Sequence, residues 1–179
     1  MPAVAGLFGK LPAHGDFIRC GWPDETLDAV DQWLTAGIAA LRGSRDEDAF
    51  AAAMHAAPLC QGYVPAGRLG PLALHLAIAP SIDRVGRLFP VAAGRAGEGV
   101  WAGVTPLGEV LDAAIYDAVA GRIDAAALIE VIGSAATDGG EDAPPVSVWW
   151  TGAPCGDPTV KSDAVDAVLL ERLLFEGVV

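Results

Sequence analysis

Two glycine-containing segments of this chain carry charged residues whose types and spacing could bind a ligand. The candidates are Lys10 and Asp16 in the first segment and Ser81, Asp83, Arg84 and Arg87 in the second. Guanidinium groups bind carboxylates and phosphates through paired hydrogen bonds, so one interpretation is an anion clamp formed by Arg84 and Arg87. The other is an internal network in which Asp83 or Asp16 pairs with the arginines and holds the loops. The network is favoured, because only 11 basic residues accompany 23 acidic ones.

The run from Gly6 to Lys10 superficially resembles a phosphate-binding loop. That pattern needs four residues between its glycines and a serine or threonine after its lysine, which complete the anion cradle and bind magnesium. Here two residues separate Gly6 from Gly9, and Leu11 follows Lys10. The nucleotide-binding interpretation is therefore rejected.

Residues typical of catalysis or metal binding are not grouped along this sequence. His14 and Asp16 lie close together, but two ligands do not make a metal site, and Asp16 is better explained as a turn residue. Cys20, Cys60 and Cys155 form no metal-binding pair, and no histidine adjoins them. We therefore predict no metal, no cofactor and no enzymatic activity.

The adjacent Trp149 and Trp150 are the remaining candidate contact residues. Neighbouring residues of a strand point to opposite faces of a sheet, so one of the two rings is expected in the core. The other is expected either at the surface, where it would contact a partner, or beneath a helix.

The elements that must position these residues alternate between strand and helix patterns. Short apolar runs predict strands at 4–8, 59–64, 72–79, 88–93 and 146–151. Apolar residues at helical spacing predict helices at 24–42, 44–57, 105–120 and 124–132. Ser44, Thr105 and Asp124 are the expected N-caps of three of them. The tail at 163–174 is compatible with a further helix, but periodicity alone does not decide a run as short as 165–170. Polar loops are predicted at 138–145 and 153–158.

The interleaving of strands and helices indicates one mixed α/β domain that spans residues 1–179. Helices are expected to cover a central sheet. Adjacent strands joined by short turns favour a sheet that is mainly antiparallel, with mixed pairing allowed.

The formal net charge of −12 narrows the classes of partner. A negative field repels phosphate backbones and anionic lipids, so nucleic acid is not an expected partner. No apolar run approaches the roughly 20 residues that a membrane helix needs. The first residues also lack the basic and apolar regions of a signal peptide. We therefore expect a cytoplasmic protein without membrane insertion.

Several segments together resemble the TagF family of proteins associated with bacterial type VI secretion. They are 6–12 (GLFGKLP), 15–18 (GDFI), 31–34 (DQWL), 80–90 (PSIDRVGRLFP) and 147–151 (SVWWT). They follow the family's order, and the segment at 80–90 is too long for a chance match. Departures occur at Leu7, where an aromatic residue is usual, at Arg19 and Cys20, where a Ser-Arg pair is common, and around 58–63, which lacks the usual tryptophan and arginine.

The resemblance implies a three-layer α/β sandwich, longin-like in arrangement, and a regulatory role without catalysis. Members of the family repress assembly of the secretion system post-translationally, together with a forkhead-associated scaffold protein and the threonine-phosphorylation pathway. The chain is accordingly expected to bind that scaffold. The alternative is a small-ligand or phospho-residue sensor that uses Lys10, Arg84 and Arg87 around a cleft with Asp16 and Asp83.

Overall fold

Seven β-strands form one antiparallel sheet in the computed structural model, which describes residues 1–136, 142–152 and 159–176. The strands are β1 (Val4–Gly9), β2 (Ile18–Cys20), β3 (Cys60–Val64), β4 (Leu74–Ala79), β5 (Val91–Ala96), β6 (Ser147–Trp150) and β7 (Thr159–Ser162). Their order across the sheet is β2-β1-β5-β4-β3-β6-β7, and each pair of neighbours is antiparallel. The predicted α/β fold with a mainly antiparallel sheet is confirmed.

Five α-helices cover the two faces of the sheet. They are α1 (Asp24–Gly43), α2 (Glu47–Ala56), α3 (Val104–Val119), α4 (Ala125–Ser134) and α5 (Ala167–Glu171), and a π-helical turn (Arg172–Glu176) continues α5. Helices α1, α2 and α5 contribute to one apolar core, whereas α3 and α4 contribute to a second. The predicted three layers are present. None of the helices in the described ranges is long and apolar enough to cross a membrane.

The central strand β4 shows why the sheet has a core on each side. All six of its residues are buried. Leu76 and Ile78 belong to the first core, whereas Ala77 and Ala79 belong to the second. Successive side chains of a strand point to opposite faces, so a strand covered on both faces appears in sequence as a nearly continuous apolar run, interrupted here by His75 alone. That run is the one predicted as a strand at 72–79.

Helix α1 has the apolar face that its sequence spacing predicts. The buried positions of that face include Leu27, Val30, Leu34, Ile38 and Leu41. Acidic residues occupy its first turn and Arg42 its last turn, where each sign of charge is favoured by the helix dipole. The side chain of Arg42 is exposed.

Two of the predicted helix caps are wrong. Asp46, and not Ser44, caps α2, since its carboxylate accepts a hydrogen bond from the backbone N–H three residues later. Helix α3 begins at Val104 after Gly103, so Thr105 lies inside the helix and caps nothing. Asp124 caps α4 as predicted.

Other differences concern short or shifted elements. Strands β2 and β7 are not predicted, because three and four residues are too few to show an alternation. The strand expected at 88–93 is β5 at Val91–Ala96, since Phe89 still belongs to the loop, where its N–H donates to the carbonyl of Ser81 at 3.1 Å. The helix compatible with the sequence at 163–174 is shortened to α5 and the π-helical turn. Cys155, the loop at 153–158 and the first half of the loop at 138–145 lie outside the described residues.

Candidate functional site

Two loops meet at one end of the sheet. Loop 1 (residues 10–17) connects β1 to β2, and loop 2 (residues 80–90) connects β4 to β5. Strand β5 pairs with both β1 and β4, so that Val91 lies opposite Gly9 on one side and Ala79 on the other. Gly9 has a φ of 132°, and a Cβ there would collide with the carbonyl of Pro90. The close approach of the two loops therefore requires glycine at that position.

The buried carboxylate of Asp83 lies between the loops. Its Oδ2 accepts a hydrogen bond from Arg87 Nε at 2.6 Å and lies 3.1 Å from Lys10 Nζ. Its Oδ1 accepts hydrogen bonds from the backbone N–H groups of Val85 at 3.0 Å and Arg87 at 2.9 Å. A buried charge is tolerated only when it is paired and hydrogen-bonded. These contacts meet both conditions.

The pKa of the Asp83 carboxyl is held below its ordinary value. Burial alone raises this pKa, but hydrogen bonds from the backbone of Arg87, from the side chains of Lys10 and Arg87 and from the backbone of Val85 outweigh it. Asp83 is therefore ionised at neutral pH. The cluster of Lys10, Asp83 and Arg87 is an ion-pair network in which the carboxylate stays charged.

Further hydrogen bonds join loop 2 to loop 1 through main-chain groups. Arg87 Nη2 donates to the carbonyl of Gly15 at 2.8 Å, and the N–H of Arg84 donates to the carbonyl of His14 at 2.8 Å. The His14 ring in turn accepts a hydrogen bond at 3.3 Å from the N–H of Ala125, the first residue of α4. Loop 1 is thus held by loop 2 on one side and by a helix on the other.

Phe17 forms an aromatic cluster at the base of the loops. Its ring stacks on Phe8 with centroids 5.8 Å apart and meets the edge of Phe89 at 4.8 Å. Lys10 Nζ lies 4.9 Å from the centroid of the Phe17 ring, within the range of a cation–π contact. Phe17 nevertheless remains 44% exposed. A large apolar side chain is therefore presented to solvent beside charged groups.

A groove of about 570 Å³ opens between these loops and α1. We call it the front groove; its lining includes Phe17, Arg87 and Phe89 from the loops and Ile38, Ala39 and Arg42 from α1. The Arg42 guanidinium lies 4.7 Å from the centroid of the Phe50 ring. Sequence reasoning missed Arg42, because no local pattern indicates that the last turn of α1 lies beside loop 2.

The predicted site residues Asp16, Ser81 and Arg84 lie outside the Asp83 network. Within the described part of the chain, Asp16 accepts a hydrogen bond only from the N–H of Phe17, at 2.8 Å, and it pairs with neither Arg84 nor Arg87. The Ser81 hydroxyl is buried and donates a long hydrogen bond of 3.5 Å to Ile82. The exposed Arg84 side chain packs over Gly15, where a Cβ would lie 2.9 Å from Nη2.

Trp149 and Trp150 are both fully buried, one on each face of the sheet. The Trp149 ring packs against Trp33 of α1 with centroids 5.6 Å apart and covers Gly62 of β3. The Trp150 ring lies 5.6 Å from His75. Neither ring is available as a surface contact, because this sheet is covered on both sides.

A buried polar chain that the sequence analysis did not identify links β4, β3 and α3. His75 Nε2 lies 3.1 Å from Gln61 Oε1, and Gln61 Nε2 donates to Asp112 Oδ1 at 2.6 Å and to the carbonyl of Gly108 at 2.9 Å. Burial, together with the charge of Arg95 directly opposite on β5, lowers the pKa of His75 to about 3. His75 is therefore neutral and acts as a structural donor. A histidine-to-amide contact of this kind carries no sequence signature.

His75 gives the fold a pH dependence that can be measured. The folded-state pKa lies below the unfolded value, so the unfolded chain takes up a proton first, and stability is lost as the pH falls below about 6.5. Between pH 7.5 and 5 we expect a loss of about 2 kcal/mol from this residue. Urea unfolding at both pH values measures this loss.

His75→Leu should be about 1–3 kcal/mol less stable at pH 7.5, because Gln61 Oε1 loses its hydrogen-bond partner. The free energy of unfolding of the variant should also change much less between pH 7.5 and pH 5. If it falls as much as that of wild type, His75 is not the source of the pH dependence.

Comparison with known proteins agrees with this architecture. The family model described as the TagF N-terminal domain, type VI secretion system-associated, matches residues 6–127, more than half of the chain. The matched region contains both loops and the front groove. Among solved structures, the chain is similar to the crystal structure of PA0076 from Pseudomonas aeruginosa PAO1. The TM-score is 0.78 and the identity 22%, over 96% of this chain and 94% of that chain.

At that identity the structural likeness establishes the fold alone. No curated protein sequence matches the chain. The family match carries the identification, since residues 6–127 include four of the five segments on which the resemblance rests. The chain belongs to the TagF N-terminal domain family, which is associated with the type VI secretion system.

Proposed function

We propose that this protein is a non-enzymatic regulator of type VI secretion that represses assembly post-translationally by binding a forkhead-associated scaffold protein. The observation that carries the proposal is the family match over residues 6–127. The scaffold would be withheld from the assembling machine in a one-to-one complex in the cytoplasm. The threonine-phosphorylation pathway would set how much scaffold is available for binding.

The chemistry of the described residues supports a binding role. Burial raises the pKa of the Cys60 thiol to about 12 and also raises that of Cys20, so neither is an activated nucleophile. In the three described ranges, His, Cys, Asp and Glu side chains form no group of three that could hold a metal ion. The charged cluster at the loops is centred on an ionised, fully paired carboxylate. Such a cluster would hold loops 1 and 2 in a fixed arrangement, as a binding surface requires.

The test is reconstitution with the cognate forkhead-associated protein. We expect the two purified proteins to co-elute in size-exclusion chromatography at micromolar concentration, and overexpression of this chain to lower secretion without lowering the amounts of the secretion components. Absence of a complex at that concentration, together with unchanged secretion, would refute the proposal.

A second candidate function is supported by the exposed arginines. Arg87 keeps 57% of its side chain exposed although it pairs with Asp83, and the Arg84 side chain makes no hydrogen bond or ion pair to any described residue. These groups would form the anion contacts of a small-ligand or phospho-residue sensor. Calorimetric titration with inorganic phosphate and with phosphothreonine tests it. Millimolar or tighter binding that Arg84→Gln abolishes would favour the sensor, and silent titrations would eliminate it.

A further inference from the structure

We infer that the front groove binds an acidic peptide segment of a partner protein, with one large apolar side chain of that segment placed between its acidic residues. This inference rests on the proposed binding function and specifies the part of the partner that is recognised. It follows from two features of the groove, an apolar floor and a basic rim.

The floor of the groove is apolar and already ordered. The edge-to-face contact of Phe17 with Phe89 fixes the orientation of the partly exposed Phe17 ring. Ile38 of α1 also lines the groove, and Ala39 leaves a shallow space beside it. A ring or branched aliphatic side chain of a partner would cover this surface without requiring rearrangement, which lowers the entropic cost of binding.

The rim of the groove is basic in a protein that is otherwise strongly acidic. Three of the 11 basic residues, Lys10, Arg42 and Arg87, line it in a chain of net charge −12. Lys10 is committed to Asp83, but the side chains of Arg42 and Arg87 are 44% and 57% exposed. A guanidinium has five N–H donors, and the contacts of Arg42 are long, at 3.5 Å to Leu88 O and 3.9 Å to Glu47. Donors therefore remain for carboxylates of a partner.

A peptide fits these features better than a small anion does. A phosphate ion would engage the basic rim and leave the aromatic floor exposed. A strand or loop with carboxylates on both sides of an apolar residue would contact the floor and the rim together. Glu47 lies on the same rim with 73% of its side chain exposed, so its charge opposes the bound segment. Removal of this charge should therefore strengthen binding of the segment.

The probe is a fluorescein-labelled peptide in which one phenylalanine is flanked on each side by three acidic residues. Binding is followed by fluorescence anisotropy at low salt. Ala39→Trp fills the groove from an exposed helical position and should weaken binding at least tenfold. Ala40→Trp, the same change one residue further along α1 and outside the groove lining, should leave the affinity unchanged.

The charge variants provide the second measurement. Arg42→Gln should weaken binding about fivefold, the upper end of what an exposed charge pair contributes. Glu47→Gln should strengthen it about twofold, because a like charge leaves the rim. Arg122→Gln, an exposed arginine between α3 and α4, is the matched control and should have no effect. Circular dichroism and Tm of each variant establish that it is folded.

Several outcomes would overturn the inference. They are the absence of binding at millimolar peptide, equal binding by Ala39→Trp and Ala40→Trp, equal binding of a peptide with glycine in place of phenylalanine, and full competition by inorganic phosphate. The scaffold complex separates this result from the proposed function. If the scaffold binds wild type and Ala39→Trp equally, the groove assignment fails and the regulatory proposal stands. If the scaffold binds neither, the regulatory proposal fails and the peptide titrations still decide the groove.

Discussion

Asp83→Ala is expected to lower the Tm on the order of 10 °C, because it leaves a buried lysine unpaired and removes the acceptor that holds loop 2. The side chain of Lys10 is only 7% exposed, and Asp83 is its ion-pair partner among the described residues. The backbone N–H groups of Val85 and Arg87 would lose their acceptor as well. Thermal unfolding followed by circular dichroism measures the effect.

Asp16→Ala is the matched control, since it removes the same type of side chain from the neighbouring loop at an exposed position. Its Tm should stay within about 2 °C of wild type. A double variant, Lys10→Met with Asp83→Leu, should recover part of the lost stability, because both buried charges are removed together. Equal effects of Asp83→Ala and Asp16→Ala would mean that the network does not stabilise the loops.

The same carboxylate should respond to acid in a defined direction. The pKa of Asp83 is lower in the folded protein than in the unfolded chain, where it is about 3.9. Its contribution to stability is therefore complete above that pH and is lost as the pH falls through and below it. The difference in Tm between wild type and Asp83→Asn should therefore narrow between pH 5 and pH 2. A constant difference over that range would show that Asp83 stabilises loop 2 without its charge.

Trp149→Ala should cost about 3–5 kcal/mol, the range seen when a large aromatic side chain is removed from a packed core. The ring is fully buried between Trp33 of α1 and the backbone of β3 at Gly62, so the layers on either side would face a cavity. Urea unfolding monitored by circular dichroism gives the free energy directly. We expect the urea concentration at the midpoint of unfolding to fall, while the dependence of the free energy on urea concentration (the m-value) stays the same.

Two further variants test whether packing is the cause. Trp149→Phe should cost clearly less than Trp149→Ala, because the indole N–H it removes has no hydrogen-bond partner among the described residues. Gly62→Ala introduces a Cβ that collides with the Trp149 ring, and its cost should fall when Trp149 is replaced by leucine. If the losses of stability caused by the Gly62 and Trp149 substitutions simply add in the double variant, the two residues are not in contact.

Much of the fold could be predicted because the spacing of apolar residues along the sequence differs between helices and strands. Helix α1 is buried on one side, which explains its single apolar face. Strand β4 is buried on both sides, which explains its apolar run, interrupted only by His75. Strands β2 and β7 could not be found, since their pairing with β1 and β6 comes from long-range hydrogen bonds and not from their own residues. The choice of Asp46 over Ser44 as a cap depends on where the chain turns, which a sequence pattern gives only within a few residues.

The charged residues of the candidate site could be predicted from the sequence, but the way in which they pair could not. The charged residues of both loops are visible in sequence, and an internal pairing of Asp83 with an arginine was one of the two interpretations. Sequence alone could not choose Arg87 over Arg84, nor show that Asp16 stays apart, because this depends on how β5 sets the loops side by side. Arg42 enters the groove through the packing of α1, 45 residues before Arg87 in the chain.

The way in which Asp83 holds loop 2 also determines which parts of that loop are free to change during evolution. Its carboxylate accepts hydrogen bonds from the main chain at Val85 and Arg87, and a main-chain donor is present whatever side chain the residue carries. Val85 at the tip is 69% exposed and contributes its N–H alone to this arrangement. Substitutions at the tip can therefore accumulate without moving the loop, so that related proteins can adjust their surfaces to different partners on one unchanged frame.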